Sequence, residues 1–227
     1  YAPVNSSVSI FTFIRNDLKR LAEIGIGTVW LTGIASNSGA TNPFALIDPM
    51  KAEAKYGTEE ELRGVILEAK RLGLRVIADF VVNHVSKESP LCDEHPDFFI
   101  KDAQGRMQSA TDNCAAGYFW DDLAQFDFLN HDVTDYLYKV ALHWLDFGFD
   151  GLRLDAPIAF VKERMKQNWY KNRLKDVEEN FTQEPWEILI ARLRLKHPKA
   201  VFIAEAFYEY RDLLRECGID FTLDGPF

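Results

Sequence analysis

The sequence predicts an α/β fold built on a parallel sheet, because helical and strand patterns alternate along its 227 residues. Three short hydrophobic runs carry this prediction, at residues 75–84, 149–156 and 201–207. Each run is rich in β-branched or aromatic residues, and glycine or proline ends the helical pattern just before it. Each also has a carboxylate towards its end, which is costly in a buried strand unless a site uses it. We therefore expect a sheet that opens onto one carboxylate-lined face.

One unit, a helix followed by a glycine or proline break and a strand, recurs along the chain. Apolar spacing predicts helices at residues 16–24, 58–72, 135–147, 186–196 and 212–217. The strands that follow them are predicted at residues 28–31, 76–82, 149–154, 201–206 and 219–223. Thr58 and Glu61 form a predicted capping box, in which hydroxyl and carboxylate satisfy backbone amides reciprocally. Strands that alternate with helices pair in parallel, since parallel strands need long crossovers.

A doubly wound sheet and a (β/α) barrel both fit this alternation. No G-x-G-x-x-G follows the first strand, which weakens the nucleotide-binding doubly wound version and favours the barrel. The interval from Gly73 to Gly148 is longer than its neighbours, and the surplus lies between Ser86 and Thr134. We predict a partial barrel over residues 1–85 and 135–227. Residues 86–134 are predicted as a mostly irregular subdomain that covers the active-site mouth.

Composition limits the classes of binding partner and the cellular compartments that fit this chain. The net charge of −9 argues against nucleic acid or an anionic membrane as the main partner. No run approaches the roughly 18 apolar residues of a membrane span. The odd cysteine count and the absence of metal-ligand spacing favour a reducing, cytoplasmic location; the three cysteines are Cys92, Cys114 and Cys217. Because the first residue is Tyr1, we expect a processed chain or part of a longer one.

Arg153 and Asp155 are two residues apart on one predicted strand, so both side chains leave the same face. An arginine beside an aspartate favours the charged carboxylate, which is what a nucleophile needs. The alternative is a structural ion pair. Glu205 lies in an apolar run, where burial would favour its protonated form and suit a general acid. Its alternative is a salt-bridged charge at the sheet end.

The segment around residues 79–84 adds three polar side chains. Asn83 and His84 follow a buried strand and can donate hydrogen bonds to a polyhydroxylated ligand, or serve as structural groups. Asp79 lies in the middle of the strand and is predicted to be a structural carboxylate bonded to backbone or to Arg153. Taken together, an ionised Asp155 and an apolar Glu205 on neighbouring strands match the two carboxylates of a retaining glycosidase.

These segments resemble the conserved regions of the α-amylase family of glycoside hydrolases. The segment DFVVNH (79–84) resembles the family's D-x-x-x-N-H, GFDGLRLDA (148–156) its G-x-x-G-x-R-x-D, and FIAEAF (202–207) its third region. Residues 48–62 also resemble its D-P-x-y-G-T segment. The resemblance implies a (β/α)8 TIM barrel with a loop subdomain inserted after the third strand. It also implies retaining cleavage or transfer at an α-glucosidic bond of an oligosaccharide or α-glucan.

The resemblance implies a role for each matched residue. Asp155 is the implied nucleophile, Glu205 the acid/base, Arg153 the partner that keeps Asp155 ionised, and His84 a sugar ligand. Phe44 is the candidate for the family's aromatic platform. A non-catalytic binding or scaffold protein is the alternative function, and hydrolase versus transferase stays open. The oligomeric state also stays open.

Two departures from the family pattern carry expectations. The fourth conserved region, a strand that ends in His-Asp, is absent from the 227 residues. We therefore expect an incomplete barrel of the first five to six strands, with residues 219–223 as an unclosed edge, poor solubility and negligible activity alone. The Lys-His pair that many α-amylases place after the nucleophile is also absent. Asn83 with Asp121 or Asp127 remains a candidate calcium site, but no metal or cofactor is favoured.

Overall fold

The computed structural model describes residues 8–38, 42–111, 113–206 and 208–223. Elements are numbered in chain order. The strands are β1 Thr28–Leu31, β2 Ala35–Asn37, β3 Leu46–Ala52, β4 Arg75–Val81, β5 His84–Ser86, β6 Ser109–Ala110, β7 Trp120–Gln125, β8 Gly151–Asp155, β9 Val201–Glu205 and β10 Phe221–Leu223. The α-helices are α1 Ile10–Glu23, α2 Glu59–Arg71, α3 Leu91–Glu94, α4 His131–Phe147, α5 Lys162–Asn168, α6 Leu174–Asn180, α7 Pro185–Lys196 and α8 Arg211–Glu216.

The main sheet has five parallel strands in the order β1-β4-β8-β9-β10. Helices α1, α2, α4, α7 and α8 precede its strands in turn, so the predicted parallel α/β architecture is confirmed. In the described part of the chain β10 is the last strand of this sheet, as predicted for residues 219–223. Two of its three side chains are exposed, Phe221 to 60% and Leu223 to 37%. Trp30, on the opposite edge strand β1, is 45% exposed.

Close packing of the central strands depends on one glycine. A Cβ added to Gly151 would lie 2.1 Å from the carbonyl oxygen of Val201 on the neighbouring strand β9. The large side chains of Trp144 on α4 and Trp186 on α7 are fully buried in the core. The indole N–H of Trp144 donates to the carbonyl of Pro49 in β3, and that of Trp186 donates to the carbonyl of Pro157 just after β8. These bonds tie α4 to the β2–β3 hairpin and α7 to the turn that follows β8.

The capping box predicted before α2 is confirmed. The Glu61 amide donates to the Thr58 hydroxyl at 3.2 Å, and the Thr58 amide donates to the Glu61 carboxylate at 2.8 Å. Helix α1 begins six residues earlier than the apolar spacing predicts. Its cap is Ser9, whose hydroxyl accepts from the Thr12 amide, and the Ser9 and Thr12 hydroxyls both bond Glu61. The start of α1 is therefore fixed by contact with α2.

The insertion between β4 and α4 is more ordered than predicted. It contains the three-stranded antiparallel sheet β5-β7-β6, and we call this sheet with its loops and α3 (residues 84–130) the inserted subdomain. Phe99 and Phe126 stack at 5.2 Å between ring centroids in its core. Helix α4 begins at His131, four residues before the predicted start, because the Asn130 side chain caps it.

Two further excursions were not predicted. Strands β2 and β3 form an antiparallel hairpin after β1, with irregular register. Residues 157–184, between β8 and α7, carry the short helices α5 and α6 rather than a simple loop. Both helices have seven residues and are rich in charge, which hides their apolar period from a pattern search. None of the described helices is long and apolar enough to cross a membrane.

Candidate active site

The register of the main sheet brings the polar side chains of three strands to one end. Asp79 on β4 lies directly beside Arg153 on β8, and Val81 lies beside Asp155. Leu154 pairs with Ala204, so Glu205 is one step further along β9. Because side chains alternate along a strand, Asp79, Arg153 and Asp155 point to the same face. Parallel pairing thus collects charges that are far apart in sequence at the C-terminal end of the strands.

Arg153 is the centre of this cluster and contacts all three carboxylates. Its Nη1 lies 2.6 Å from Asp155 Oδ1 and 3.4 Å from Asp79 Oδ1, and its Nη2 lies 2.7 Å from Glu205 Oε2. Asp155 and Glu205 therefore contact the same guanidinium group. This shared contact brings the two carboxyl groups close together, as a glycosidase carboxylate pair requires.

Aromatic rings and backbone amides hold the cluster in place. The Arg153 guanidinium lies 5.1 Å from the Trp30 ring centroid and 5.2 Å from that of Phe44. Asp79 accepts hydrogen bonds from the Trp30 indole at 3.0 Å and from the Gly33 amide at 2.8 Å. Asp79 thus has the supporting position expected for it, bonded both to backbone and to Arg153.

Burial controls the charge of Asp155, contrary to the expectation that Arg153 would dominate. Desolvation raises the pKa of Asp155 to about 7, with the nearby Glu205 and Asp79 adding to the rise and Arg153 opposing it. Burial also raises the pKa of Asp79. One buried cation faces three carboxylates, so burial favours the protonated form of Asp155 in spite of its contact with Arg153.

The expectation that Glu205 would be buried is wrong. Its side chain is 34% exposed, whereas that of Asp155 is 9% exposed. Glu205 is the last residue of β9, and it extends past the apolar run to reach Arg153 and the open cavity. The two carboxylates therefore occupy different environments, since Asp155 is buried in the sheet end and Glu205 is only partly buried.

A cavity of about 170 Å³ lies over the cluster. The sequence-predicted residues Asp155, Glu205, His84 and Phe44 line it. Five lining residues were not predicted as site residues: Asn42, Trp120, Leu123, Ala156 and Ile158. Trp120 belongs to an aromatic cluster visible in the sequence, but nothing in the sequence indicated that it would face the carboxylates.

Ala156 follows the buried carboxylate directly and has left-handed backbone angles, φ 47° and ψ 43°. Among the described residues it is the only non-glycine residue with positive φ. This conformation is uncommon for a residue with a Cβ, and such strain concentrates at functional sites. The turn redirects the chain immediately after Asp155, so that Ile158 also reaches the cavity wall.

His84 is poised to bind a polar group. Its ring is 3% exposed, and its Nε2 has no hydrogen-bond partner in the described structure. Burial lowers the pKa of His84 to about 4, so the ring is neutral at neutral pH. A buried unpaired ring nitrogen beside a cavity is costly, and a ligand hydroxyl would satisfy it.

Comparison with known proteins identifies the scaffold. The family model described as the catalytic domain of α-amylase matches residues 12–193. The chain belongs to the α-amylase family. Maltase A2 of Drosophila melanogaster is 29% identical over 188 residues, and α-amylase 2 of Dictyoglomus thermophilum is 25% identical over 147 residues. These matches cover 69% and 63% of this chain, and 33% and 25% of the relatives.

Solved structures agree with the family. The crystal structure of an α-amylase from Lactobacillus plantarum matches with a TM-score of 0.70 and 25% identity, over 93% of this chain and 47% of that one. The chain thus spans between a quarter and a half of these proteins. Its five-stranded parallel sheet is an incomplete (β/α)8 barrel of the α-amylase family, which confirms the predicted fold class.

Asn83, expected as a sugar ligand, is placed away from the cavity. It is fully buried, and its side chain donates to the Thr111 carbonyl at 3.3 Å. The Gln125 amide group donates to its side-chain oxygen at 2.7 Å and to its backbone oxygen at 3.1 Å. Asn83 therefore joins the end of β4 to the inserted subdomain, and holds in place the segment that carries His84.

The candidate calcium ligands do not converge. The Asn83 side-chain oxygen faces the Gln125 N–H donors, which a cation would not tolerate. Asp121 accepts from the Ser109 hydroxyl, and Asp127 accepts from the Tyr170 hydroxyl at 2.7 Å. Within the described ranges no group of three His, Cys, Asp or Glu side chains is arranged to hold a metal ion. The residues present do not fit the calcium site of a typical α-amylase.

Proposed function

We propose that the protein is a retaining glycoside hydrolase or transglycosidase that acts on α-glucosidic bonds of oligo- or polysaccharides. The observation that carries this proposal is the contact of one buried guanidinium, Arg153, with both Asp155 and Glu205 beneath a cavity. A binding or scaffold protein has no need to bury such charges, which cost free energy of folding.

In the proposed reaction Asp155 is the nucleophile. Its carboxylate oxygen forms a bond to the anomeric carbon while the glycosidic C–O bond breaks, and Glu205 gives its proton to the departing oxygen. Water or an acceptor hydroxyl then gives a proton to Glu205 and attacks the anomeric carbon, which releases Asp155. Two displacements restore the original α configuration.

The accessibility and contacts of the cluster suit this sequence of steps. The chemistry needs an ionised Asp155 and a proton on Glu205, so the proton that burial favours on Asp155 in the free cavity must leave Asp155 before the first displacement. Glu205 is the more accessible of the two, as a group that exchanges protons with leaving oxygen and water should be. Arg153 orients both carboxylates and stabilises Asp155 as an anion when it leaves the sugar. His84 supplies a neutral ring nitrogen for a sugar hydroxyl.

Two substrates that differ in leaving group test the roles in the full-length protein. α-Glucosyl fluoride needs little acid assistance, whereas maltooligosaccharides need a proton on the leaving oxygen. We expect Asp155→Asn to lose about 10⁴-fold or more in turnover on both substrates. Glu205→Gln should lose a similar factor on maltooligosaccharides but retain much more activity on the fluoride.

Product analysis completes the assignment. NMR of the first-formed product should show the α anomer, and addition of maltose as acceptor distinguishes hydrolysis from transfer. Formation of the β anomer, or full activity of Asp155→Asn, would contradict the proposed mechanism. Absence of turnover and of binding for maltooligosaccharides by the full-length protein would favour the scaffold alternative.

We also propose a reducing, cytoplasmic location. All three cysteines lie among the described residues and are free thiols, and Cys92 and Cys217 are buried. Burial raises the pKa of each of these two thiols to about 11, which keeps them unreactive. Cell fractionation with an antibody to the protein tests this proposal, and recovery in the medium would contradict it.

A further inference from the structure

The inserted subdomain contributes a wall to the cavity that the proposed chemistry does not use. Trp120 and Leu123, both on β7, line the same cavity as Asp155 and Glu205. The Trp120 ring centroid lies 6.1 Å from that of His84, with the planes tilted by 41°. Trp120 therefore lies beside the histidine that has an unpaired nitrogen, in the cavity that Asp155 and Glu205 also line.

A second ring continues this wall towards solvent. Tyr118 meets Trp120 edge to face, with the ring centroids 5.6 Å apart. Its side chain is 62% exposed. Single exposed aromatic residues are ordinary, but adjoining rings that begin inside a cavity and end in solvent mark a binding surface. We call Trp120 and Tyr118 the aromatic wall.

The chemistry of the cavity selects the ligand that this wall would contact. The wall presents flat apolar rings with the neutral imidazole of His84 beside Trp120, and the carboxyl groups of Asp155 and Glu205 line the same cavity. A pyranose ring is apolar on its C–H faces and polar around its hydroxyl edge, so it matches both kinds of lining at once. An anionic ligand would be repelled, because Asp155 and Glu205 face the same space.

We propose that Trp120 is the stacking platform for a glucosyl unit next to the cleavage position, and that Tyr118 contacts the following unit outward. This inference rests on the proposed function and deepens it. The protein then prefers α-gluco-oligosaccharides of three or more units over disaccharides, because the longer ligands contact both rings.

Phe119 provides a matched control within the same segment. It is aromatic and 40% exposed, but its ring packs edge to face against Trp169, at 6.3 Å. It borders a separate groove on the outer surface of the inserted subdomain, beside Arg106 and Gln108. Substitution of Phe119 thus removes a similar apolar area from the same strand region without touching the cavity.

The test measures ligand affinity in the full-length protein with Glu205→Gln as the parent, so that binding is separated from turnover. Dissociation constants for maltose, maltotriose and maltopentaose are determined by calorimetry. We expect Trp120→Ala to weaken the affinity for all three sugars by about tenfold, and Trp120→Phe to weaken it by less than about threefold. Tyr118→Ala should leave the affinity for maltose unchanged and weaken the affinity for maltopentaose about fivefold. Phe119→Ala should leave all three constants unchanged.

The outcomes separate this inference from the function on which it rests. If the parent binds the oligosaccharides and Trp120→Ala binds them as tightly as Phe119→Ala does, the aromatic wall is overturned and the α-glucan assignment stands. If the parent binds none of the three ligands, both are overturned. Recovery of affinity in Trp120→Phe excludes misfolding as the cause of the loss in Trp120→Ala.

Discussion

The end of the parallel sheet and the inserted subdomain face each other across one cavity, but they differ in chemistry and construction. The sheet end contributes charge: Asp79, Arg153 and Asp155 are buried there, and strand register fixes their spacing. The inserted subdomain contributes neutral groups, with His84 and Trp120 at the cavity and a buried His84 Nε2 that has no hydrogen-bond partner in the described structure.

This difference shows that the fold assigns catalytic charges and ligand recognition to separate regions. Charges that must hold a fixed separation lie on adjacent strands, whose hydrogen bonds resist displacement. Groups that recognise a ligand lie on an insertion, whose shape can vary without altering the sheet. The substitutions below test the division, first by removing charge from the sheet end and then by loosening the insertion.

The largest effect on stability is expected for Arg153→Met. Its removal leaves Asp79, Asp155 and Glu205 without their shared cation, so the free energy of unfolding should fall by about 3–5 kcal/mol at pH 8. At pH 5 the loss should be smaller, because burial raises the pKa values of Asp155 and Asp79 and so favours their neutral forms at lower pH. Urea unfolding at both pH values measures this.

Arg192→Met is the control for that experiment, since it also removes an arginine paired with an aspartate. Arg192 and Asp135 are largely exposed, so its loss should cost less than about 1 kcal/mol. Equal losses at pH 5 and pH 8 for Arg153→Met would contradict the view that this residue compensates buried carboxylates.

Asp155→Asn should stabilise the protein at high pH while it abolishes activity. The pKa of Asp155 is raised to about 7, so the folded state holds a proton that the unfolded state releases. The wild-type protein therefore loses stability as the pH rises from the ordinary pKa of an aspartate, which applies in the unfolded chain, through the raised pKa of the folded state. The variant has no such proton to lose. We expect a gain on the order of 2 kcal/mol at pH 8 and almost none at pH 4.

Thermal unfolding across this pH range measures the difference, with Asp135→Asn as an exposed control. A variant that is less stable than wild type at pH 8 would mean that the pairing with Arg153 outweighs burial. That result would restore the simpler view, in which the arginine alone determines the charge of Asp155.

Gln125→Leu should loosen the insertion without disturbing the sheet. Gln125 is fully buried, and its amide group donates to both oxygens of Asn83. Loss of these donors leaves buried acceptors unsatisfied, at a cost of about 1–3 kcal/mol. Hydrogen exchange should accelerate in β5 and β7 but not in β8, and oligosaccharide affinity should fall as His84 shifts.

Gln167→Leu is the matched control, because Gln167 is exposed and its side-chain amide donates to Glu163. It should leave exchange in the inserted subdomain unchanged. If Gln125→Leu accelerates hydrogen exchange in β8 as strongly as in β5, the sheet and the inserted subdomain unfold as one cooperative unit. That result would contradict the separation of the two regions.

The smallest effect is expected for Thr58→Ala, which removes the capping box of α2 far from the cavity. The free energy of unfolding should fall by about 1 kcal/mol, with kcat and KM unchanged. Denaturant unfolding and kinetics on one substrate measure both quantities. A change in kcat would show that the outer helices control the active site.

The sequence was a good guide wherever a short local signal decides the structure. The strand predicted at residues 28–31 is β1, and the helix that the capping box begins is α2. Strand placement also predicted that Asp155 and Arg153 share a face, and they are in contact. The hairpin β2–β3 and the helices α5 and α6 were not predicted. The hairpin has an irregular register, and each helix has only seven residues and is rich in charge, so none of them shows a clear apolar period.

The charge states show the same limit. The neighbouring Arg153 suggested an ionised Asp155, and the apolar residues around Glu205 suggested a buried acid. In the structure Asp155 is the more buried of the two, and Glu205 is only partly buried. Desolvation depends on what covers a side chain in three dimensions, and neighbours in sequence do not report it.

The sequence by itself determined the alternation of helix and strand, the family, and the carboxylates that end the strands. The alternation follows from local periodicity. The family and the carboxylates follow from short motifs in which charged residues stand near the ends of apolar strands. Only the tertiary structure decided that one guanidinium joins three carboxylates, that Asn83 ties the insertion down, and that Trp120 faces the cavity. Each of these depends on strand register or on contacts between segments some 30 to 75 residues apart, such as Asp79 with Arg153 at a separation of 74, and such contacts leave no local pattern in the chain.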